Sequence, residues 1–297
     1  MSITELNHHD RYPYSPITQR DDFSWPNGKR LAIYFGINHE VFSFGEGLGA
    51  ELAPAQSKPD VMNFAWRDYG NRVGAWRFID LFDRLELKTT ALVNAALIDK
   101  CRPLVEALRD RGDDIAAHGM TNAEAPGELA SDEERAMIAR CLERFETIGV
   151  RPTGWLAPWI SESADTPDLL VEAGFTHVLD WAHDDQPITM DTRSGRSLLS
   201  IPYSQEINDI PAIIARKQEA AQFVGMIEDA ITQLLSECDA RPLVLGIALH
   251  PYVMGQSHRF LHLARCLTKL REEADSRIWW TTASEIADYS IVRPTAR

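Results

Sequence analysis

Short apolar runs alternate with amphipathic stretches along most of this chain. The segment 30–40 is apolar and rich in residues that favour strands, and it ends in polar side chains, which is typical of a buried strand. From 71 to 87, apolar residues recur about every three positions with charged residues between them, and this spacing predicts an amphipathic helix. The alternation of strand and helix repeats about seven times, so the pattern predicts parallel strands joined by helices.

The rest of the chain continues this order without a linker or low-complexity tract. We therefore predict an α/β fold whose parallel strands form a sheet closed or nearly closed into a barrel, similar to a TIM barrel. Residues 1–29 are predicted to form an N-terminal arm and residues 30–297 a single domain. Irregular segments are expected at 43–59, as a lid or rim loop, and at 184–196. Further strands are expected at 88–94, 113–118, 154–159, 175–181, 198–203, 243–249 and 278–282, and further helices at 104–111, 132–148, 168–173, 217–237 and 258–273.

Charge and composition restrict the partners of this barrel. The 297 residues carry 30 Lys and Arg against 44 Asp and Glu, a net charge of −14, and this negative charge repels nucleic acid. No apolar run approaches the roughly 18 residues that span a membrane, and the polar N-terminus lacks the apolar core of a signal peptide. The four cysteines form no C-x-x-C pair, which fits a reducing compartment. We therefore predict a cytoplasmic protein that binds neither nucleic acid nor membrane.

Polar and aromatic side chains follow several of the predicted strands. In a (β/α) barrel the carboxyl ends of the strands meet at one mouth, and the active site forms there. The candidate functional residues are therefore those at the strand ends, namely Asn38, His39, Glu40, His118, Asn122, Trp155, Trp159, Asp180 and His250.

Three of these residues have acid–base chemistry suited to catalysis. Glu40 is the carboxylate at the end of the first strand, where a general base is required, although it could instead be a solvated residue that opens the loop. His250 follows an apolar strand and precedes Pro251, and His118 also ends a strand. Both could alternatively be histidines of the core. We predict that Glu40, His118 and His250 are catalytic.

The other strand-end residues are predicted to bind the substrate. Trp155 and Trp159 could wall a planar ring, or they could be plain core aromatics. Asn122 could hydrogen-bond the substrate or cap a turn. Asp180 could also contact the substrate, or pair with an arginine for a structural purpose.

The chain resembles a known family over most of its length, from about Arg11 to Tyr289. The segments that carry the resemblance are 68–77 (DYGNRVGAWR), 117–119 (AHG) and 249–256 (LHPYVMGQ). They are similar to the polysaccharide deacetylase (NodB-homology) superfamily, and within it to the allantoinase-like and cyclic-imide-hydrolase-like branch. The resemblance implies that residues 30–297 form a polysaccharide-deacetylase-like catalytic domain, a deformed (β/α) barrel of about seven parallel strands that hydrolyses non-peptide carbon–nitrogen bonds. It also places the general acid of the family at His250.

The resemblance further implies a divalent metal, usually zinc, held by an Asp at the end of the first strand and by an H-x-x-x-H pair. Here the first position is Asn38, and the pair is His118 with Asn122. Amides are poor zinc ligands compared with carboxylate or imidazole, so we predict no metal cofactor. If Zn²⁺ or another divalent metal is bound, His39 could supply a nitrogen beside His118. Asn38 and His39 are otherwise predicted to bind the substrate.

We therefore expect a hydrolase of a small cyclic amide, imide or ureide that uses water without a tightly bound metal. Glu40 would take a proton from water, and His250 would protonate the leaving nitrogen. His118 and Asn122 would hydrogen-bond the substrate carbonyl as charge develops. One alternative is a metal-dependent N-deacetylase of an amino-sugar-like substrate, and another is a catalytically inactive barrel that only binds a ligand.

The expected partners are a small-molecule substrate and further copies of the chain. The resembling branch is oligomeric, so a homo-oligomer is expected. The arm residues Tyr12, Pro13, Tyr14 and Trp25 could wrap a neighbouring copy. The arm could alternatively close the bottom of its own barrel.

Overall fold

The fold is a curled, mostly parallel sheet, described by a computed structural model for residues 8–273 and 275–292. Its strands are β1 (Leu31–His39), β2 (Thr90–Val93), β3 (Asp114–Ala117), β4 (Gly154–Trp155), β5 (His177–Val178), β6 (Ile188–Asp191), β7 (Ser197–Ser200), β8 (Leu243–Leu249) and β9 (Ile278–Trp280). They lie in the order β6-β7-β5-β4-β3-β2-β1-β8, and β9 pairs with β1. Every pairing is parallel except that of β6 with β7. The prediction of a deformed (β/α) barrel is confirmed.

Helices join the strands and pack against the outer face of the sheet. They are α1 (Val61–Tyr69), α2 (Ala75–Arg84), α3 (Leu97–Lys100), α4 (Arg102–Arg111), α5 (Ser131–Glu146), α6 (Thr166–Ala173), α7 (Ala220–Glu237), α8 (Ser257–Glu272) and α9 (Ala283–Val292). α4 ends at Gly112, whose left-handed conformation (φ 72°) suits glycine. Within the described ranges, no helix is both long and apolar enough to cross a membrane.

Side chains alternate along β1 between the interior of the barrel and the helix layer. Ala32 and Tyr34 belong to the interior cluster, whereas Leu31, Ile33, Phe35 and Ile37 pack in the layer between sheet and helices. Because side chains of a strand have a period of two, the alternation continues into the polar end of the strand. Asn38 and Glu40 therefore face the mouth of the barrel, and His39 faces the helices.

Several elements differ from the sequence prediction: α1, α3 and α9 were not predicted, β4 and β5 are shorter than expected, and two further segments changed character. The predicted helix 71–87 begins as α2 only at Ala75, after a π-helical turn (Gly70–Gly74) that joins it to α1, which the pattern did not predict. A Cβ on Gly70 would lie 2.8 Å from Tyr252 N, and one on Gly74 would lie 2.1 Å from Pro251 O. Close packing against the loop after β8 therefore requires glycine at both positions. The segment 184–196, predicted to be irregular, contains the short antiparallel strand β6.

The arm packs on its own barrel. The Trp25 side chain is buried, its Nε1 donates to Leu243 O at 3.1 Å, and its ring lies 5.7 Å from that of Tyr289. Tyr14, in contrast, is 91% exposed. The structure therefore gives Trp25 the role of closing the barrel, which was one of the two alternatives for the arm. The homo-oligomer stays a prediction.

Candidate active site

A cavity of about 160 Å³ opens at the carboxyl ends of the strands. Pockets for drug-sized ligands measure roughly 300–1,000 Å³, so this cavity suits a smaller molecule. The structure brings six of the predicted site residues together in its lining, namely Asn38, Glu40, His118, Asn122, Trp159 and His250. These side chains come from β1 and from the segments that follow β1, β3, β4 and β8.

The Glu40 carboxylate is the centre of this group and is 5% exposed. Its Oε1 accepts a hydrogen bond from Asn122 Nδ2 at 2.6 Å, and its Oε2 accepts one from the Tyr252 hydroxyl at 2.9 Å. The Nε2 atoms of His118 and His250 lie 3.5 and 3.6 Å from Oε1. Burial alone would raise the pKa of Glu40, but His250, His118 and Tyr252 outweigh it and hold that pKa below its ordinary value. Glu40 is therefore a carboxylate at neutral pH.

His118 is oriented by the backbone of the neighbouring strand. Its Nδ1 lies 2.7 Å from the carbonyl oxygen of Leu156. Because a carbonyl oxygen only accepts hydrogen bonds, Nδ1 carries a proton. Its Nε2 faces Glu40 Oε1 at 3.5 Å, so a hydrogen on Nε2 is directed at the carboxylate. The predicted contact of His118 with a substrate carbonyl stays a prediction.

His250 is held by a buried carboxylate, Asp209. His250 Nδ1 lies 2.6 Å from Asp209 Oδ1, and the backbone N–H of His250 donates to Asp209 Oδ2 at 2.8 Å. Burial alone would lower the pKa of His250, but the carboxylates of Asp209 and Glu40 outweigh it and raise that pKa above its ordinary value. The pairing fixes the ring and favours its protonated form, which a general acid requires.

Asn38 and Tyr203 form a second polar pair in the cavity. Asn38 Nδ2 donates to the Tyr203 hydroxyl at 2.8 Å and to Leu249 O at 3.2 Å. The Tyr203 oxygen thus accepts, and its own hydrogen is left for a molecule in the cavity. The ring lies across β1 at Gly36, where a Cβ would come within 2.8 Å of it. Burial raises the pKa of Tyr203, so the hydroxyl stays a neutral donor.

Asn122 orients Glu40 through one hydrogen of its amide nitrogen. Its Nδ2 donates to Glu40, and its Oδ1 accepts from Asn94 Nδ2 at 3.0 Å. These two contacts give Asn122 a role in positioning the carboxylate. The second hydrogen of Nδ2 is left for a molecule in the cavity, so the predicted contact with the substrate stays a prediction.

His39 lies away from the cavity, which contradicts its pairing with His118 around a metal. Its side chain borders a small void with Phe78 and Phe82, on the helix side of β1. Burial lowers the pKa of His39 to about 3, so the ring is neutral. The two-residue period of β1, continued beyond its apolar part, places His39 on the helix side of the sheet.

Trp155 and Asp180 also lie outside the cavity lining, whereas Trp159 stands at its rim. Trp155 is fully buried and its ring packs edge-on against Phe175 at 5.4 Å. Asp180 Oδ1 accepts a hydrogen bond from the Ala157 backbone at 2.8 Å, which braces the segment after β4. Trp159 is 42% exposed, lines the cavity, and its Nε1 donates to Asn122 O at 3.1 Å. Of the two tryptophans, Trp159 alone is placed to contact a ligand in the cavity.

The donor set does not fit the zinc ion that the family resemblance implies. The amide nitrogens of Asn38 and Asn122 are directed at Tyr203, Leu249 O and Glu40, so N–H groups occupy the space where metal ligands would be needed. Over residues 8–273 and 275–292, no group of three or more His, Cys, Asp or Glu side chains is arranged to hold a metal ion.

Sequence reasoning missed Asp209, Tyr203 and Tyr252. Tyr252 lies two residues after His250 within the segment 249–256, so its position in that motif was an available signal. Tyr203 ends the strand predicted at 198–203, so its place at a strand end was also an available signal, whereas Asp209 lies between β7 and α7 where no element was predicted. Only the fold brings Asp209 to His250, 41 positions along the chain.

Comparison with known proteins agrees with this architecture. Residues 61–178 match the family model "Polysaccharide deacetylase". A peptidoglycan deacetylase of Helicobacter pylori is 22% identical over 88% of this chain and 96% of its own length. A crystal structure of Puue allantoinase superposes with a TM-score of 0.84 at 24% identity, covering 96% of this chain and 99% of that one. A probable polysaccharide deacetylase from Pseudomonas aeruginosa PAO1 gives a TM-score of 0.83 at 23% identity, covering 96% and 100%.

These relatives agree with the coarse enzyme class predicted from the sequence, a hydrolase of non-peptide carbon–nitrogen bonds. The two solved structures share the fold over nearly the whole chain. Residues 61–178 match that family model, and over nearly the whole chain the fold is the deformed (β/α) barrel that these solved structures share.

Proposed function

We propose that this protein hydrolyses a small cyclic amide, imide or ureide by metal-independent general acid–base catalysis. The observation that carries the proposal is the convergence of Glu40 Oε1 with the Nε2 atoms of His118 and His250, at 3.5 and 3.6 Å, in the wall of a small cavity. A carboxylate with an adjacent imidazole and a second imidazole of raised pKa are the groups needed to activate water and to protonate a leaving nitrogen.

Glu40 and His118 position and activate the water. The water donates a hydrogen to Glu40 Oε1, beside His118 Nε2, and directs a lone pair at the substrate carbonyl carbon. As its oxygen bonds to that carbon, the proton passes to Glu40. The Tyr203 hydroxyl supplies a donor to the developing oxyanion, and one such donor contributes about 10²–10³-fold.

His250 completes the reaction. Its Nε2 proton passes to the ring nitrogen as the carbon–nitrogen bond breaks, which leaves a ring-opened carboxylic acid. Such a proton transfer contributes about 10²–10⁴-fold. The proton held by Glu40 then returns to His250 Nε2, 3.6 Å from Oε1, and regenerates both groups. This short distance supports a mechanism in which Glu40 and His250 serve as one acid–base pair, first in the attack of water and then in the departure of the ring nitrogen.

A metal-dependent N-deacetylase is the second candidate, supported by the family match over 61–178. The hydrogen bonds of Asn38 and Asn122 weigh against it, because they place amide N–H groups where zinc ligands would be needed. The size of the cavity also favours a small ring over a polymer.

The test is a substrate panel of allantoin, hydantoin, succinimide and an N-acetylated sugar oligomer, assayed with and without a chelator. We expect turnover of a cyclic substrate that survives chelation, in protein with well under one equivalent of zinc by elemental analysis. Chelator-sensitive release of acetate would instead identify the N-deacetylase. Protein that binds these compounds without any turnover would be a binding barrel.

A further inference from the structure

The segment 156–163, which follows β4, forms part of the cavity wall and contains a strained turn. It contributes Leu156, Ala157, Trp159 and Ile160 to the lining. Trp159 (φ 61°) and Ile160 (φ 53°) both have left-handed backbone conformations, and a β-branched residue such as isoleucine rarely adopts one. A turn of this kind persists only where the surrounding structure holds it in place.

Two carboxyl groups connect this turn to the segment after β5. Asp180 Oδ1 accepts a hydrogen bond from the Ala157 backbone N–H at 2.8 Å, and Glu162 Oε2 accepts one from Trp181 Nε1 at 2.9 Å. The second oxygens, Asp180 Oδ2 and Glu162 Oε1, are buried and accept no hydrogen bond from an N–H or O–H group of the described residues. The two carboxyl groups lie within hydrogen-bonding reach of each other.

The charged groups around this pair do not neutralise two carboxylates. Arg11 faces the pair, but its guanidinium nitrogens bind the Asp168 carboxylate at 3.2 and 2.8 Å. Glu134 on α5 adds a negative charge, and the nearby Tyr203 hydroxyl is neutral. The void beside Glu162 is further lined by the ionisable residues His8, His9, Asp10, Asp191 and Arg193.

A hydrogen bond between two carboxyl groups requires a proton on one of them, because an ionised carboxylate only accepts. Burial raises the pKa of both groups, and the neighbouring carboxylate raises that of Asp180 further. We propose that Asp180 Oδ2 and Glu162 Oε1 share one proton, and that this hydrogen bond holds the strained turn in the cavity wall. Both are positioning residues, since neither side chain lines the cavity itself.

Urea unfolding at pH 5, 6 and 7 tests for the shared proton. The folded pair holds a proton that the unfolded chain releases above about pH 4, so the stability that the pair contributes is lost as pH rises towards its folded-state pKa. Asp180→Asn replaces the acid O–H by an amide N–H and needs no proton. For each pH unit, the unfolding equilibrium constant should therefore rise about tenfold more in the unmodified protein than in Asp180→Asn.

Glu162→Gln should reduce the pH dependence in the same way, because its amide N–H can donate to Asp180 Oδ2 without a shared proton. Asp132→Asn is the matched control, because it makes the same chemical change in a side chain that is 97% exposed. It should keep the pH dependence of the unmodified protein. Other groups that titrate in this range, including His39, are common to all these proteins and cancel in the comparison.

Amide hydrogen exchange at residues 157, 160 and 161, whose N–H groups are hydrogen-bonded at the turn, tests whether the pair holds it. Glu162→Ala removes the hydrogen bond to Asp180 and should speed this exchange about tenfold or more. Glu162→Gln, which restores that hydrogen bond, should exchange at nearly the unmodified rate. The amides of α4 serve as an internal control and should not change.

Equal pH dependence of unfolding in the unmodified protein and in Asp180→Asn would overturn the shared proton. Unchanged exchange at the turn in Glu162→Ala would overturn the positioning role. Neither measurement uses a substrate, so the outcome is independent of the proposed function, and an inactive protein would leave this inference intact.

Discussion

Replacing Tyr252 with phenylalanine removes the hydroxyl that donates to Glu40 Oε2 at 2.9 Å. The ring keeps its edge-on contact with Trp66, 5.0 Å between centroids, so the packing is retained. A hydrogen bond to a charged group is worth about 1.5–3 kcal/mol, and one pKa unit corresponds to about 1.36 kcal/mol. Because this hydrogen bond stabilises the carboxylate form, its loss should raise the pKa of Glu40 by roughly one to two units.

The assay is the pH dependence of kcat/KM on a cyclic substrate identified by the panel. If Glu40 is the general base, activity requires its carboxylate, so Tyr252→Phe should move the acidic limb to higher pH by roughly one to two units. Well above that limb the variant should approach the unmodified enzyme. Tyr289→Phe is the matched control, because it removes a hydroxyl that donates to Ser24 O at 2.6 Å, near Trp25 at the closed end of the barrel. An acidic limb that stays in place, or moves to lower pH, would refute the assignment of Glu40.

Three further perturbations address the acid and the helix layer. His250→Asn should retain the fold and lower kcat by about 10²-fold or more, and a destabilised but fully active variant would contradict the assignment of the acid. Asp209→Asn removes a carboxylate that raises the pKa of His250, so the alkaline limb of the kcat profile should move to lower pH; an unchanged alkaline limb would exclude this pairing. Burial lowers the pKa of His39 from 6.5 to about 3. As pH falls below 6.5, this histidine therefore takes up a proton in the unfolded chain but not in the folded protein. The free energy of unfolding should fall for this reason by about 2 kcal/mol near pH 5. In His39→Leu, the free energy of unfolding measured with urea should fall less between pH 8 and pH 5 than in the unmodified protein. An equal fall in both proteins would show that His39 is not responsible.

Local pattern was sufficient to predict the fold class and the edge of the sheet that carries the site. Apolar runs predicted β1 and β8, and the helical spacing of apolar residues predicted α5 and α8. Elements of these kinds bury one or both faces, and they can pack together in only a few ways. Glu40, His118 and His250 could be identified because each is the polar residue directly after a strand, β1, β3 and β8 respectively. The same alternation, extended two residues further, would have separated Glu40 from His39.

The hydrogen-bond partners of these residues required the tertiary structure. Tyr252 reaches Glu40 from 212 positions away, and Asp209 reaches His250 from a segment without regular pattern. Whether Asn122 contacts a substrate or a neighbouring carboxylate depends on side-chain directions that amino-acid type does not specify. The spacing of apolar residues along the sequence predicts which face of an element a residue occupies, because this spacing is a property of that one helix or strand. The partners found on that face depend on how separate elements pack, and Gly70 and Gly74 illustrate this, since they allow the helical segment to approach the loop that carries His250 and Tyr252.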